Sequence, residues 1–176
     1  SGVEKRLRLQ RDEREAFYRL LPFVPTNAQK RAVSEAMADM MGQAPMSRLI
    51  QGDVGSGKTA VAAALCYCVI QNGMQAALMA PTEVLARQHE RSLSGMLSQA
   101  GIQTALLTGS MTAKQKRLVK EGLASGEIQL VIGTHALLTE EVTFQRLGLV
   151  VTDEQHRFGV AQRAALAQKG ENPHLL

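Results

Sequence analysis

Five short runs along this chain centre on apolar residues: Arg48–Gln51, Ala76–Ala80, Thr104–Thr108, Leu130–Gly133 and Leu149–Thr152. They show almost no polar alternation, the pattern of strands covered on both faces. Longer amphipathic stretches separate them. These predict helices near 58–72, 83–100 and 112–125, a short helix near 134–138 and another at 159–168. Upstream, Thr26 reads as the N-cap of a helix running to about Met41, which Gly42 and Pro45 end. Strand–helix–strand repetition specifies an α/β fold with a doubly wound parallel sheet. Ligands of such sheets bind outside the carboxyl ends of the strands.

One loop at such a strand end carries strong chemistry. Gly52-Asp53-Val54-Gly55-Ser56-Gly57-Lys58-Thr59 fits the P-loop pattern G-x-x-x-x-G-K-[ST] at every position, between a short apolar run and an Ala-rich helix. Gly52, Gly55 and Gly57 let the backbone wrap so that its N–H groups, with that of Ser56, converge on one anion. The start of the following helix adds its positive dipole end. Lys58 supplies a point charge to the β- and γ-phosphates of ATP, and Thr59 a hydroxyl to Mg²⁺. A second strand, Leu149–Thr152, ends in Asp153-Glu154-Gln155-His156. An acid at the end of a buried strand is costly unless it meets a cation. Asp153 therefore reads as the other Mg²⁺ ligand and Glu154 as the group that orients or deprotonates the attacking water. An acid directly after the Mg²⁺ acid favours hydrolysis over transfer to a bound metabolite.

Composition narrows the setting. The chain has 176 residues, enough for one domain, with 45% hydrophobic and 20% charged residues. No apolar run is long enough to cross a bilayer, and the charged N-terminus is not a secretory signal. The two cysteines, Cys66 and Cys68, stand two apart on a predicted helix and point to nearly opposite sides. They read as small buried residues in a reducing cytoplasm, so a cytoplasmic protein is expected. The net charge of +4 is a weak pointer to a polyanion. Residues 1–21 read as a charged helix or linker entering the domain, and 22–176 as the domain itself. Lys114, Lys116, Arg117 and Lys120 make either a positive binding face or an ordinary solvated helix.

The string Asp153-Glu154-Gln155-His156-Arg157-Phe158-Gly159-Val160, with Gln162-Arg163, resembles motif II of the RecG family of superfamily 2 ATP-dependent DNA helicases. The related translocase Mfd usually has a second Glu where this chain has Gln155. Ala80-Pro81-Thr82-Glu83-Val84-Leu85-Ala86-Arg87-Gln88-His89 resembles motif Ia, Thr108-Gly109-Ser110 motif Ib, and Ile132-Gly133-Thr134-His135-Ala136 the next DNA-facing motif. Pro22-Phe23 with Thr26 and Gln29 resembles the adenine-side element. The resemblance covers about Leu21 to His174. It implies the first RecA-like motor domain, cut before motif III, of an enzyme acting on forks and junctions in repair and recombination. Gln29 and Phe23 would then hold the adenine. Thr82, Arg87, Gly109 and Thr134 would touch the DNA backbone, and Gln155 and His156 would couple the two sites. Aromatics at only 3% agree with gripping phosphates rather than stacking bases.

The resemblance also implies parts that this chain does not carry: a second RecA-like domain with arginine fingers and an N-terminal wedge domain for branched DNA. Little hydrolysis by this chain alone is therefore expected. In the family, a later strand inserts between the P-loop strand and the motif II strand. The last residues, His174-Leu175-Leu176, or nothing, should fill that slot here. Three other readings compete: the motor of Mfd, a nucleotide-gated protein-interaction module, and a P-loop metabolite kinase. The Asp153-Glu154 pair argues against the module, and no acceptor lid supports the kinase.

Overall fold

The computed structural model describes residues 14–19, 21, 26–41, 56–139, 141–152 and 174–175. Helix α1 (Asn27–Met41) leads towards α2 (Ser56–Gln71), and a short turn joins α2 to β1 (Gln75–Met79). Then come α3 (Glu83–Leu97) with a 3-10 turn at Ser98–Ala100, β2 (Thr104–Leu107), α4 (Ala113–Ser125) and β3 (Leu130–Gly133). A second 3-10 turn (His135–Leu138), β4 (Leu147–Thr152) and β5 (His174–Leu175) complete the described elements. The strands form one sheet in the order β2-β3-β1-β4-β5, with every pairing parallel. This is the α/β doubly wound architecture that the spacing predicts. The predicted strand Arg48–Gln51 and helix 159–168 lie outside the described residues.

Strand order explains the layering. From β1 the chain passes over β3 to reach β2, and α3 spans that crossover. It then steps back to β3 through α4. Right-handed crossovers taken in opposite directions place their helices on opposite faces. Accordingly Ala76, Leu78 and Ala80, with Ile132, Leu149 and Val151, share one core with residues of α1, α2 and α3. The alternate residues Ala77 and Met79, with Leu107, Val131 and Val150, pack with Leu123 of α4 and Leu137. In β1, β3 and β4 both sides of the pleat are dry, which is why these strand runs lack alternation.

The helices follow from their sequences. Thr26 caps α1: its Oγ1 accepts from Gln29 N–H at 3.1 Å, and its own N–H donates to Gln29 Oε1 at 2.8 Å. Thr112 and Gln115 make the same reciprocal box for α4. In α2 every residue from Ala60 to Ile70 is buried, as befits a helix apolar on all sides. Cys66 and Cys68 lie within it, fully buried and without a disulfide. Burial, reinforced by Cys68, pushes the Cys66 thiol up to about 12. Residues 14–19 are helical. Phe17 is fully buried, 5.3 Å from the Tyr67 ring centroid, and Arg14 donates to Ser34 Oγ at 2.6 Å. This part of the expected charged connector thus packs onto the domain.

His174 and Leu175 lie beside β4, with Leu149 level with His174 and Val150 with Leu175; the strand Arg48–Gln51 expected on the other side of that slot lies outside the described residues. The amino edge of the sheet is sealed by one buried amide. Gln75 Nε2 donates to the carbonyls of Leu123 (2.9 Å) and Ile128 (2.7 Å), and its Oε1 accepts from Arg146 N–H at 2.8 Å. One side chain thereby ties β1 to the end of α4 and the start of β4. Gln75→Leu keeps the volume but orphans the Ile128 carbonyl and the Arg146 N–H, while the Leu123 carbonyl keeps the Gln145 N–H at 3.1 Å. It should cost at least about 2 kcal/mol, because each buried unsatisfied group is penalised, and urea unfolding would measure the loss.

Candidate functional site at the carboxyl edge of the sheet

Register sets the site. Met79, Leu107, Gly133 and Thr152 stand level across β1, β2, β3 and β4. Two further bonds extend this lock one step. Ala80 N–H donates to Gly133 C=O at 2.9 Å, and Thr134 N–H to Leu107 C=O at 3.4 Å. The segments that leave this edge therefore begin together: the one after β1 carries Thr82, that after β2 Gly109, that after β3 Thr134, and that after β4 Asp153. Gly133 is needed for the close approach. A Cβ there would strike the backbone carbonyl of Leu107 and crowd Leu137.

Each DNA-side candidate with a described side chain has a definite place. Thr82 is exposed and is the N-cap of α3, with φ −131° and ψ 156°. Its Oγ1 accepts from Leu85 N–H at 3.2 Å. Gly109 is exposed in a turn closed by Met111 N–H to Thr108 C=O at 3.4 Å. Thr134 is half-buried, with extended backbone at the start of the 3-10 turn. Arg87, one turn into α3, is half-exposed and pairs with Glu83 at 3.5 Å. Glu83 is the residue that the sequence reading left out. Its Oε1 accepts from Thr108 Oγ1 at 2.5 Å and from Ser110 Oγ, joining the segment after β1 to the one after β2. Those hydroxyls, then Arg87, hold its carboxyl below the usual glutamate range. The link is thus intact at neutral pH and is lost only as pH falls through that lowered value.

On the nucleotide side, Ser56, Gly57, Lys58 and Thr59 form the first turn of α2, and Thr59 is half-buried. The other end of α2 meets the start of β4, where a Cβ on Gly148 would touch Val69. The helix packs along β1 and β4, so its amino end points towards the carboxyl edge. Its first amides have no helical acceptors, so this end offers donors to an anion. Gln29, expected against adenine, is half-buried with its amide oxygen in the capping box of α1. Gly52, Gly55, Phe23, Asp153, Glu154, Gln155 and His156 lie outside the described residues. No helix among the described residues is long and apolar enough to cross a membrane.

The model of the DEAD/DEAH box helicase family matches residues 26–172. The chain belongs to the DEAD/DEAH box helicase family. The chain is similar to ATP-dependent DNA helicases named RecG. The ATP-dependent DNA helicase RecG of Bacillus subtilis (strain 168) is 51% identical over 171 residues, which are 97% of this chain and 25% of that protein. RecG of Synechocystis sp. (strain ATCC 27184 / PCC 6803 / Kazusa) is 52% identical over 162 residues, 92% of this chain and 20% of that protein. A solved structure of RecG bound to a three-way DNA junction superimposes with a TM-score of 0.75 and 51% identity, over 82% of this chain and 20% of that one. The chain thus spans a quarter or less of these RecG proteins. In this helicase fold Gly133→Ala should force β2 and β3 apart at the edge, costing at least about 1–3 kcal/mol through overpacking. Thermal melting would show a lower midpoint.

Proposed function

We propose that the chain is the first motor domain of a RecG-type ATP-dependent DNA helicase, acting on forks and junctions in repair and recombination in the cytoplasm. One observation carries the reading. In a chain half-identical to RecG, the segments carrying Thr82, Gly109 and Thr134 leave the sheet edge at which β4 ends in Thr152, and this supports the reading. In this reading residues 22–176 are the motor domain and 1–21 enter it as a charged connector. Its partners are branched DNA, a second RecA-like domain and a wedge domain. The sequence after Glu154, with Gln155 rather than a second Glu, favours RecG over Mfd.

Each residue has a role in this reading. The amides of Gly52, Gly55, Ser56 and Gly57 cradle the phosphates of ATP, and Lys58 neutralises the β- and γ-oxygens. Gln29 and Phe23 hold the adenine; Gln29 can do so only by sharing or leaving its capping box. Thr59 and Asp153, a hydroxyl and a carboxylate, are the hard oxygen donors that suit Mg²⁺. Mg²⁺, when bound, offsets charge on the phosphoryl oxygens. Glu154 orients the attacking water, and Gln155 and His156 carry the nucleotide state to the DNA side. Thr82, Gly109 and Thr134 contact DNA phosphates, with Arg87 contributing from one turn further along α3.

Two measurements test this. A fluorescent ATP analogue should bind weakly to the chain and not to Lys58→Ala. Hydrolysis should stay near background in both, because arginines supplied by a second domain are worth about 10³–10⁵ in rate. Rapid single-turnover hydrolysis by this chain alone would contradict the two-domain account. Titration of a labelled oligonucleotide should show sequence-independent affinity. It should fall by roughly two- to threefold between about 50 and 200 mM salt for each phosphate that a cation such as Arg87 neutralises. Salt-insensitive or base-specific binding would count against a phosphate-gripping edge.

A further inference from the structure

We propose that Glu83 is a positioning residue for DNA binding: a carboxylate latch that fixes the turn Thr108–Met111 against the start of α3. This rests on the reading of that edge as a DNA-binding surface. Thr108 is fully buried, so its hydroxyl needs a partner inside the protein. The acceptor it finds is Glu83 Oε1, 25 residues earlier in the chain and on the segment that follows a different strand. Ser110, on the other side of Gly109, donates to the same oxygen. Glu83 thereby grips the turn from both sides of its glycine.

Its place on α3 suits that task. Thr82 is the N-cap, so Glu83 is the first residue of the helix. There the helix dipole favours an ionised carboxylate, and Arg87 pairs with it from one turn away. A Glu three residues after the N-cap would turn back to bond the cap amide; at the first position the side chain is spared for the neighbouring segment. An ionised carboxylate only accepts, so the hydroxyl protons of Thr108 and Ser110 are both committed to it. Neither hydroxyl is then a donor to a DNA phosphate. Phosphate contact at this turn falls to backbone N–H groups; among the described residues, that of Gly109 donates to no acceptor. Thr82 Oγ1 accepts from Leu85 N–H and keeps its own proton to donate.

A negative charge beside a phosphate site is electrostatically unfavourable. That makes the latch separable from a simple charge effect. If Glu83 acted only by its charge, removing it would tighten DNA binding. If it positions the turn, removing it weakens binding despite the lost repulsion. The test uses Glu83→Ala, Glu83→Gln, Ser110→Ala and the Glu83→Ala/Ser110→Ala pair in this chain. Affinity for a labelled single-stranded oligonucleotide is read by anisotropy at low salt, with a fluorescent ATP analogue as control.

Glu83→Ala and Ser110→Ala should each weaken oligonucleotide binding roughly three- to tenfold, as loss of one or two hydrogen bonds predicts. The pair should be no weaker than Glu83→Ala alone, and Glu83→Gln, which keeps one acceptor, should lie between. Affinity for the ATP analogue should not change. Amide hydrogen exchange at Gly109–Met111 should accelerate in Glu83→Ala while β1 and β3 keep their protection. Equal or tighter oligonucleotide binding by Glu83→Ala and Glu83→Gln would overturn the proposal, as would unchanged exchange in the turn. Because Ser110 is exposed, Ser110→Ala tests the latch even if Glu83→Ala unfolds. If the unaltered chain binds no oligonucleotide, the DNA reading fails by itself, and the exchange measurement still decides whether the latch exists.

Discussion

Parallel pairing obliges all strands of a sheet to stop on the same side, and the register decides how nearly level they stop. Here Met79, Leu107, Gly133 and Thr152 finish on one line. Residues far apart in sequence become neighbours as a result, without any long loop having to be ordered. The arrangement needs a close approach of backbones at Gly133, where a side chain would strike the Leu107 carbonyl. It also needs the opposite edge held firm, which the buried Gln75 amide does through its bonds to Leu123, Ile128 and Arg146. A slip of one residue in any pairing would exchange the two dry faces. Since both faces are apolar, hydrophobicity alone resists such a slip weakly. The specific polar clamp at Gln75 and the steric fit at Gly133 supply the register that function requires.

Much of this was legible in the sequence because local rules dominate it. The strands sit on apolar runs too short for helices, and α1 and α4 start at Thr26 and Thr112, each with a Gln three residues on. Four predicted runs and five predicted helices, one of them the short 3-10 turn at His135–Leu138, fall on observed elements. The candidate phosphate loop stands out in the sequence for a different reason: Gly52 to Thr59 are consecutive, so one string carries the whole proposed anion site. What escaped were partnerships across sequence distance. The bond from Thr108 to Glu83 spans 25 residues, and Gln75 bonds Arg146 across 71. A lone Glu at a helix start looks like ordinary dipole compensation, and a lone Gln at a strand start looks like a boundary. Phe17 escaped because it is one apolar residue among many charges, and only the tertiary fold shows that it reaches Tyr67.

The charges of α4 show the opposite error that a sequence invites. Lys114, Lys116, Arg117 and Lys120 form a basic cluster when read along the chain. In the fold, Lys120 bonds Glu141 at 2.7 Å and Arg117 stands 3.9 Å from Glu121. Lys120 holds the Glu141 carboxyl below its usual range. Acids from within α4 and from the segment before β4 thus offset half of the cluster. Of the two readings that the sequence left open, the geometry favours the solvated helix.

The composition of α2 connects the core to the candidate nucleotide site. Its buried span contains Ala60, Ala62, Ala63 and Ala64, and it shares a core with Ala76 and Ala80 of the neighbouring sheet. Small residues let a helix lie close to the strands beneath it. Close packing then fixes the helix along its axis as well as across it, because interiors at crystal-like density do not allow sliding. The first turn of α2, with Lys58 and Thr59, is therefore positioned by the alanines that follow it. The end of a helix is held in place only if the body of the helix is anchored. In this chain the anchor is the apolar body of α2, held between the sheet and the helices α1 and α3. Stability of the core and placement of the candidate phosphate-binding groups are thus one requirement, written in the same sixteen residues of α2.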